Sequence, residues 1–205
     1  MDFPETATLL LRIGAAGVIG FLMIAHIEGC ARRGYSHVQH PVSALALGRR
    51  GWIQIVNFAI SGCAIVCGGV GILLQGSGLF LGIAVIVFGS GLALSAFPMD
   101  PMRGYPPGTA EGDPEEFSTS HNIHDWAGLI VFFSLPTVAA IAVFTLPDLW
   151  QKIAAGAAAV VLLAANYFFD KAWTVSSPKV GIIQRAFIVP GWLWLAMVFT
   201  MLSMY

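Results

Sequence analysis

The sequence contains six apolar stretches of nearly bilayer-spanning length, separated by turns or polar connections. A transmembrane α-helix needs about 20 consecutive, mostly apolar residues. The pattern therefore predicts an all-α integral membrane bundle of six transmembrane helices. The predicted spans are roughly 7–29, 52–75, 78–97, 123–146, 149–169 and 184–204.

Composition supports the bilayer as the solvent for most of the surface. The chain is 57% hydrophobic and 10% charged, whereas a soluble domain carries roughly 25% charged residues. So few charges cannot cover a water-facing surface, and we expect residues 1–205 to form a single transmembrane domain. The formal net charge is −1, and no basic run indicates a nucleic-acid partner.

Basic residues are distributed unevenly along the predicted topology. Of the 10 Lys and Arg residues, only Arg12 and Lys152 lie away from the three longer connections, which are 30–51, 98–122 and 170–183. Because cytoplasmic loops carry the excess of Lys and Arg, these connections are predicted to face the cytoplasm. An even number of spans then places the N- and C-termini on the non-cytoplasmic side.

The start of the fourth span carries the densest group of chemically versatile side chains. His121, His124 and Asp125 follow two good N-cap residues, Ser118 and Ser120. A helix that begins at either serine puts these three side chains on neighbouring positions of one face. The alternative is a hydrogen-bonded helix start, with Asp125 near the positive end of the helix dipole.

Zinc is one ligand that this spacing allows. His121 and His124 can bind zinc if a third ligand comes from another span. In the sharpest version of this hypothesis, zinc activates a water molecule and Asp100 or Asp125 accepts its proton, as in a metal-assisted hydrolase. The candidates for the third ligand are His26, Asp100 and Asp170.

Further polar residues are expected at the same membrane face. Arg185 opens the sixth span, and Arg103 lies in the loop before the fourth; a guanidinium group can hold a phosphate or a carboxylate. Asp170 ends the fifth span and is either a ligand-binding group or one half of an ion pair with Arg185 or Lys171. Such membrane-edge ionisable groups are functional candidates.

Residues 40–48 are predicted to form a short amphipathic helix on the membrane surface that closes over the cytoplasmic mouth. Ser43 within this segment is a nucleophile only if a histidine reaches it. Sequence alone does not place a histidine there.

Several motifs together resemble a known family. They are His40–Gly48 (HPVSALALG), Phe97–Pro101 (FPMDP), Pro107–Thr109 (PGT) and His121–Gly128 (HNIHDWAG). In this order they resemble bacterial and archaeal multi-span proteins catalogued as domain of unknown function 998. The resemblance implies a six-span protein of a prokaryotic cytoplasmic (inner) membrane and implies no particular activity.

A looser similarity links the residue types to zinc-dependent membrane hydrolases, which include alkaline ceramidases and adiponectin-receptor-like proteins. Those proteins combine a serine, an aspartate and three histidines near one membrane face. Their paired histidines are four residues apart on a late helix, whereas His121 and His124 are three apart on the fourth. The similarity is therefore an analogy of composition rather than of motif.

Three functions follow as hypotheses. The first is a cytoplasm-facing site for a lipid headgroup, a metal or a small polar ligand, with the zinc hydrolase as its enzymatic form. The second is an accessory subunit of a larger energy-transducing or photosynthetic assembly, in which histidines hold water, haem or a pigment. The third is a proton-coupled transporter that uses Asp170 and the histidines as a relay.

Overall fold

The computed structural model describes residues 3–205, with Phe3 described by its backbone alone. Six α-helices and one short 3-10 helix make up the regular structure of this range, which contains no strand, so the all-α prediction is confirmed. The helices are α1 (Phe3–Ala31), the 3-10 helix (Val42–Ala46), α2 (Gly51–Gln75), α3 (Leu79–Leu94), α4 (Thr119–Thr145), α5 (Leu149–Thr174) and α6 (Val180–Leu202).

The six α-helices form a closed ring. Each helix packs against the next in the chain, and α6 returns to pack against α1. One end of the ring, the terminal end, holds the start of α1, the last residues of α6 and two tight turns. There the Gln75 amide donates to the carbonyl of Leu202 at 2.8 Å, and the Tyr205 hydroxyl donates to Asp148 at 3.2 Å. The other end, the polar end, holds the loops 32–50, 95–118 and 175–179.

Five of the helices are long and apolar enough to cross a membrane, which makes the chain a multi-pass membrane protein. The exception is α3, whose 16 residues are about 24 Å long. The sequence predicted a span over 78–97. The helix ends earlier because Pro98 disfavours helical geometry at the preceding residue, and residues 95–97 form turns instead.

Close glycine contacts hold neighbouring helices together. A Cβ atom at Gly14 of α1 would lie 2.9 Å from the Cα atom of Gly68 on α2. A Cβ atom at Gly62 of α2 would lie 2.4 Å from the backbone nitrogen of Ala93 on α3. Small residues of this kind allow membrane helices to approach at backbone distance, where dispersion forces replace the hydrophobic effect between helices.

The segment expected on the membrane surface lies inside the bundle. The 3-10 helix packs against α1, α2 and α6 at the polar end, and Val42, Ala44, Leu45 and Ala46 are buried. Its run of small and branched apolar residues has no charged face, which suits a position inside the mouth of the ring. The prediction that it closes the mouth agrees with this position, but the surface location was wrong.

Replacing Gly62 with alanine should destabilise the bundle by about 1–3 kcal/mol, because the added methyl group overlaps the α3 backbone. Thermal unfolding of the purified protein in detergent measures the effect. Gly20→Ala on α1 is the matched control, since a Cβ atom there meets no other atom within 4 Å. Equal melting temperatures for the two variants would contradict this packing.

Candidate functional site

The start of α4 is built as the sequence predicts. Ser118 is the N-cap, and its hydroxyl accepts a hydrogen bond from the backbone N–H of His121 at 3.1 Å. Asp100 in the preceding loop accepts from both the backbone N–H and the hydroxyl of Ser118, each at 2.7 Å. The backbone hydrogen bond from Ser118 is the main reason that the pKa of Asp100 is lowered. The carboxylate predicted to be catalytic therefore anchors the loop to the helix.

His121 joins the same anchor. Its Nδ1 accepts from the backbone N–H of Asp100 at 2.9 Å, and its Nε2 lies 3.3 Å from a carboxylate oxygen of Asp125. Phe117 stacks on the buried imidazole ring at 4.1 Å between centroids. The predicted proximity of His121 to Asp125 is thus observed, but both ring nitrogens already have partners within the chain.

His124 points towards the end of α3 instead. Its Nδ1 lies 3.1 Å from the carbonyl oxygen of Ser95 and 2.8 Å from that of Phe97. Carbonyl oxygens only accept hydrogen bonds, so Nδ1 carries the proton and donates it. The Nε2 atom of the neutral ring is then left as an acceptor or a ligand atom.

The three predicted metal ligands consequently lie in three different environments. His26 is near Cys30 and His37, and this is the one group of three potential ligands that converges within the described part of the chain. His121 and His124 do not belong to it. The reason is that their ring nitrogens bond to backbone groups in the first part of loop 95–118, at Ser95, Phe97 and Asp100, which fixes the orientations of the two rings.

Arg185 is used to hold a loop rather than left free for an anion. Its guanidinium donates to the carbonyls of His37 at 2.9 Å and His40 at 3.0 Å, and to the hydroxyl of Tyr35 at 2.5 Å. The expected pair with Asp170 is not among the ion pairs formed by residues 3–205. Arg185 therefore ties the loop 32–50 to the start of α6.

Arg103 is occupied in a comparable way. Its guanidinium forms a two-point ion pair with Asp113, with the closest N–O distance at 2.6 Å, and it lies 4.4 Å from the centre of the Trp173 ring. The hydrogen bond from Arg103 lowers the pKa of Asp113. Arg103 lines a solvent-facing cleft of about 300 Å³, but its charge is largely balanced within its own loop.

An ion-pair network around the buried carboxylate of Glu28 was missed by the sequence analysis. Glu28 on α1 accepts hydrogen bonds from Arg32 and from Arg50, with shortest distances of 2.6 Å. Arg32 also donates to the carbonyls of Leu45 at 2.8 Å and Leu47 at 2.7 Å in the 3-10 segment. The four-residue spacing of Glu28 and Arg32 was the available signal, whereas nothing local indicates Arg50.

A cleft of about 560 Å³ lies between α4 and α5 at the polar end. Three of the predicted site residues line it: His124, Asp125 and Asp170. No hydrogen bond or ion pair engages the Asp170 carboxylate within residues 3–205, although its backbone carbonyl accepts from Thr174. The remaining lining residues are Ser43, Met99, Gly128, Leu129, Phe132, Phe133, Leu163, Asn166, Tyr167, Phe169, Trp173 and Gln184.

The cleft is apolar along its walls and open to the outside of the ring. Phe133, Leu163 and Tyr167 line it and are 62%, 56% and 62% exposed, so its opening faces the surroundings of the bundle. Gly128 keeps the cleft wide, because a Cβ atom there would meet no other atom within 4 Å.

A smaller cavity of about 50 Å³ adjoins the inner side of the cleft. It shares Ser43, His124 and Gln184 with the cleft, and Trp192 closes it from α6. The buried indole N–H of Trp192 makes no hydrogen bond within the described chain. This volume suits a water molecule or the end of a polar group.

Comparison with protein families then identifies the chain. Residues 15–201 match the family described as "Protein of unknown function (DUF998)". The chain belongs to this family. The resemblance inferred from its motifs is confirmed, and the family description assigns no activity. Comparisons of this DUF998 protein with curated proteins and with solved structures gave no match, so its function has to be argued from the site itself.

Acidification should weaken the attachment of loop 32–50 through His40. Burial and the nearby Arg185 lower the pKa of His40 in the folded chain, and its Nδ1 accepts from the backbone N–H of Ser36 at 2.9 Å. Stability from the neutral ring is complete above the unfolded pKa of about 6.5 and is lost as the pH falls below it. The melting temperature should therefore fall between about pH 7.5 and pH 5.5.

His40→Gln removes the titrating ring and should make this fall smaller. His37, whose pKa is also lowered mainly by burial, titrates in both proteins and does not affect the difference. An unchanged pH dependence in His40→Gln would show that the neutral His40 ring does not stabilise the loop.

Glu28→Gln should lower the free energy of unfolding by about 3 kcal/mol, because it leaves the buried guanidinium of Arg32 without its counter-charge. Glu115→Gln, at an exposed position of loop 95–118, is the matched control and should change stability little. Chemical denaturation in detergent compares the two. Similar losses in both variants would argue against a structural role for the Glu28 network.

Proposed function

We propose that this protein is a six-span protein of the prokaryotic cytoplasmic membrane that binds an amphiphilic molecule, such as a lipid, in the cleft between α4 and α5. One observation carries the proposal: the cleft combines apolar walls open to the bilayer side of the ring with polar groups, Asp125 and Asp170, near the polar end of the bundle. Its volume of about 560 Å³ falls within the usual range for small-molecule sites.

The walls suit a hydrocarbon chain. Phe132 and Phe133 on α4 and Leu163 on α5 contribute apolar surface, and the opening beside Phe133 and Leu163 faces the region that lipid would occupy. An acyl chain could therefore enter sideways from the bilayer without crossing water. Moving a hydrocarbon chain from lipid into an apolar cleft gains little free energy, because both surroundings are apolar. Selectivity would therefore come from the polar end of the cleft.

The polar end favours a headgroup that donates hydrogen bonds or carries positive charge. Asp125 and Asp170 line the cleft, and none of the described lining residues is Lys or Arg. Arg103 and Arg185, the expected anion ligands, are committed to Asp113 and to backbone carbonyls. An amine or hydroxyl headgroup therefore matches the site better than a bare phosphate does.

The packing around α3 supports a sixth span. Gly78 lies against the side chain of Thr145, and the carbonyls of Ser95 and Phe97 reach His124. Residues 78–97 thus run along α4 from Thr145 to His124. Since α4 is a span by length and composition, a segment that runs antiparallel beside it over the same depth favours a sixth crossing. The basic polar end would then lie in the cytoplasm.

The other hypotheses receive weaker support. The zinc hydrolase with His121, His124 and His26 as ligands would require these side chains to leave their present partners. Ser43 and His124 line both the cleft and the inner cavity, which keeps a serine-dependent hydrolase of the bound amphiphile as a second candidate. An accessory subunit would co-purify with a complex, and a transporter would need a polar path across the bilayer.

Native mass spectrometry of the protein released from nanodiscs tests amphiphile binding. The nanodiscs would contain ethanolamine, choline and glycerol phospholipids in equal amounts. We expect retention of lipid with a preference for the ethanolamine headgroup. Gly128→Leu should reduce retention by at least about tenfold, because the leucine side chain fills the cleft.

Gly20→Leu is the matched control, since this glycine is also in open space but lies on α1. Asp170→Asn should reduce the ethanolamine preference while leaving insertion unchanged. Equal lipid retention by Gly128→Leu and Gly20→Leu would contradict the proposed site. Release of a free fatty acid by the unsubstituted protein, abolished by Ser43→Ala, would favour the hydrolase.

A further inference from the structure

We propose that His26, Cys30 and His37 form a metal site that binds a zinc ion. The Sγ atom of Cys30 lies 3.8 Å from Nε2 of His26 and 3.5 Å from Nε2 of His37, and the three ligand atoms all lie within 4.8 Å of one another. Tetrahedral zinc, with its usual bond lengths to nitrogen and sulfur, separates such ligand atoms by roughly 3.5 Å. Only small side-chain movements would be needed.

Secondary structure supplies two of the three ligands. His26 and Cys30 are four residues apart near the C-terminal end of α1, so their side chains lie one above the other on the same face. The chain then turns back, and the ring of His37 lies beside that of His26, with 5.2 Å between centroids. Two residues of α1 and one residue of the following loop thus bring their side chains together.

The loop that carries His37 is fixed without any metal. Arg185 donates to the carbonyl of His37 at 2.9 Å, and the backbone N–H of Ile182 donates to the carbonyl of Val38 at 3.1 Å. The edge of the Tyr35 ring also contacts His37, at 5.5 Å between centroids. A loop held in place in this way reduces the ordering cost of metal binding.

Gly29 provides the space for the His37 ring. A Cβ atom at this position would lie 2.5 Å from Cε1 and 2.8 Å from Nε2 of His37. A side chain at position 29 would therefore push the imidazole away from Cys30. A methyl group at Gly29 would disturb the site without removing a ligand.

The donor set determines the kind of ion. A thiolate and two imidazoles suit borderline or soft ions such as zinc, whereas Mg²⁺ and Ca²⁺ prefer oxygen ligands. His26 and Cys30 are exposed, so a fourth position remains accessible to water or another ligand, as in open zinc sites. The other cysteines, Cys63 and Cys67, do not belong to any converging group of three within residues 3–205.

Metal titration of the full-length protein in nanodiscs, with an affinity tag that lacks histidine, tests the site. We expect one Zn²⁺ per chain in the unsubstituted protein. Cys30→Ser and His37→Ala should each weaken zinc binding by at least about tenfold, since even the loss of a residue that only hydrogen-bonds a metal ligand can have this effect. Gly29→Ala should also weaken binding, because it displaces the His37 ring.

Cobalt substitution shows whether the thiolate is a ligand. Co²⁺ bound at this site should give a thiolate-to-cobalt charge-transfer band that Cys30→Ser abolishes and Cys63→Ser retains. Circular dichroism confirms that each variant remains helical. The proposal is overturned if the unsubstituted protein binds no Zn²⁺ at micromolar concentrations, or if binding and the cobalt band survive in Cys30→Ser.

Discussion

The structure depends on hydrogen bonds to backbone carbonyl groups in the mouth of the helix ring that no α-helix pairs. Residues 41–47 of the loop 32–50 lie in this mouth and are buried, apart from the half-buried Ser43. An unpaired carbonyl in such surroundings is costly. Arg32 donates to the carbonyls of Leu45 and Leu47, and Arg185 donates to those of His37 and His40. Arg32, which directly follows α1, and Arg185, on α6, thus hold different parts of the segment.

The same constraint explains how most polar groups at this end are used. Gln184 accepts from the backbone N–H of Val42 at 2.7 Å, His121 accepts from that of Asp100, and His124 donates to two carbonyls after α3. Side chains that look catalytic in the sequence thus form hydrogen bonds with the backbone. Chemistry is left to the groups not used in this way, namely the Asp170 carboxylate, the Nε2 atom of His124 and the cluster around Cys30.

The sequence predicts those features that arise from neighbouring residues. The apolar run of α4 and the capping serine at 118 define that helix within a few residues, and the four-residue spacing of His121 and Asp125 predicts their contact. The clustering of charge at one end follows because the three charged loops are alternate connections, which lie at the same end of an up-and-down bundle. These features need no knowledge of distant contacts.

Features that depend on distant partners were not predictable. Besides a local bond to the carbonyl of Gly181, Arg185 donates to Tyr35 and to the carbonyls of His37 and His40, which lie about 150 positions earlier in the chain. These carbonyls need a partner only once the loop has packed into the bundle. His26 was assigned to His121 and His124, whereas a loop reversal seven residues long brings His37 to Cys30 instead. The burial of the 3-10 helix likewise depends on the width of the mouth, which no local pattern encodes.

An experimental structure determined in a lipidic mesophase tests the central claim, that the space between α4 and α5 accommodates an amphiphile. We expect elongated density between Phe133 and Leu163, with its polar end about 3 Å from the Asp170 carboxylate. Direct packing of α4 against α5 at the level of Gly128, with no space between them, would contradict it.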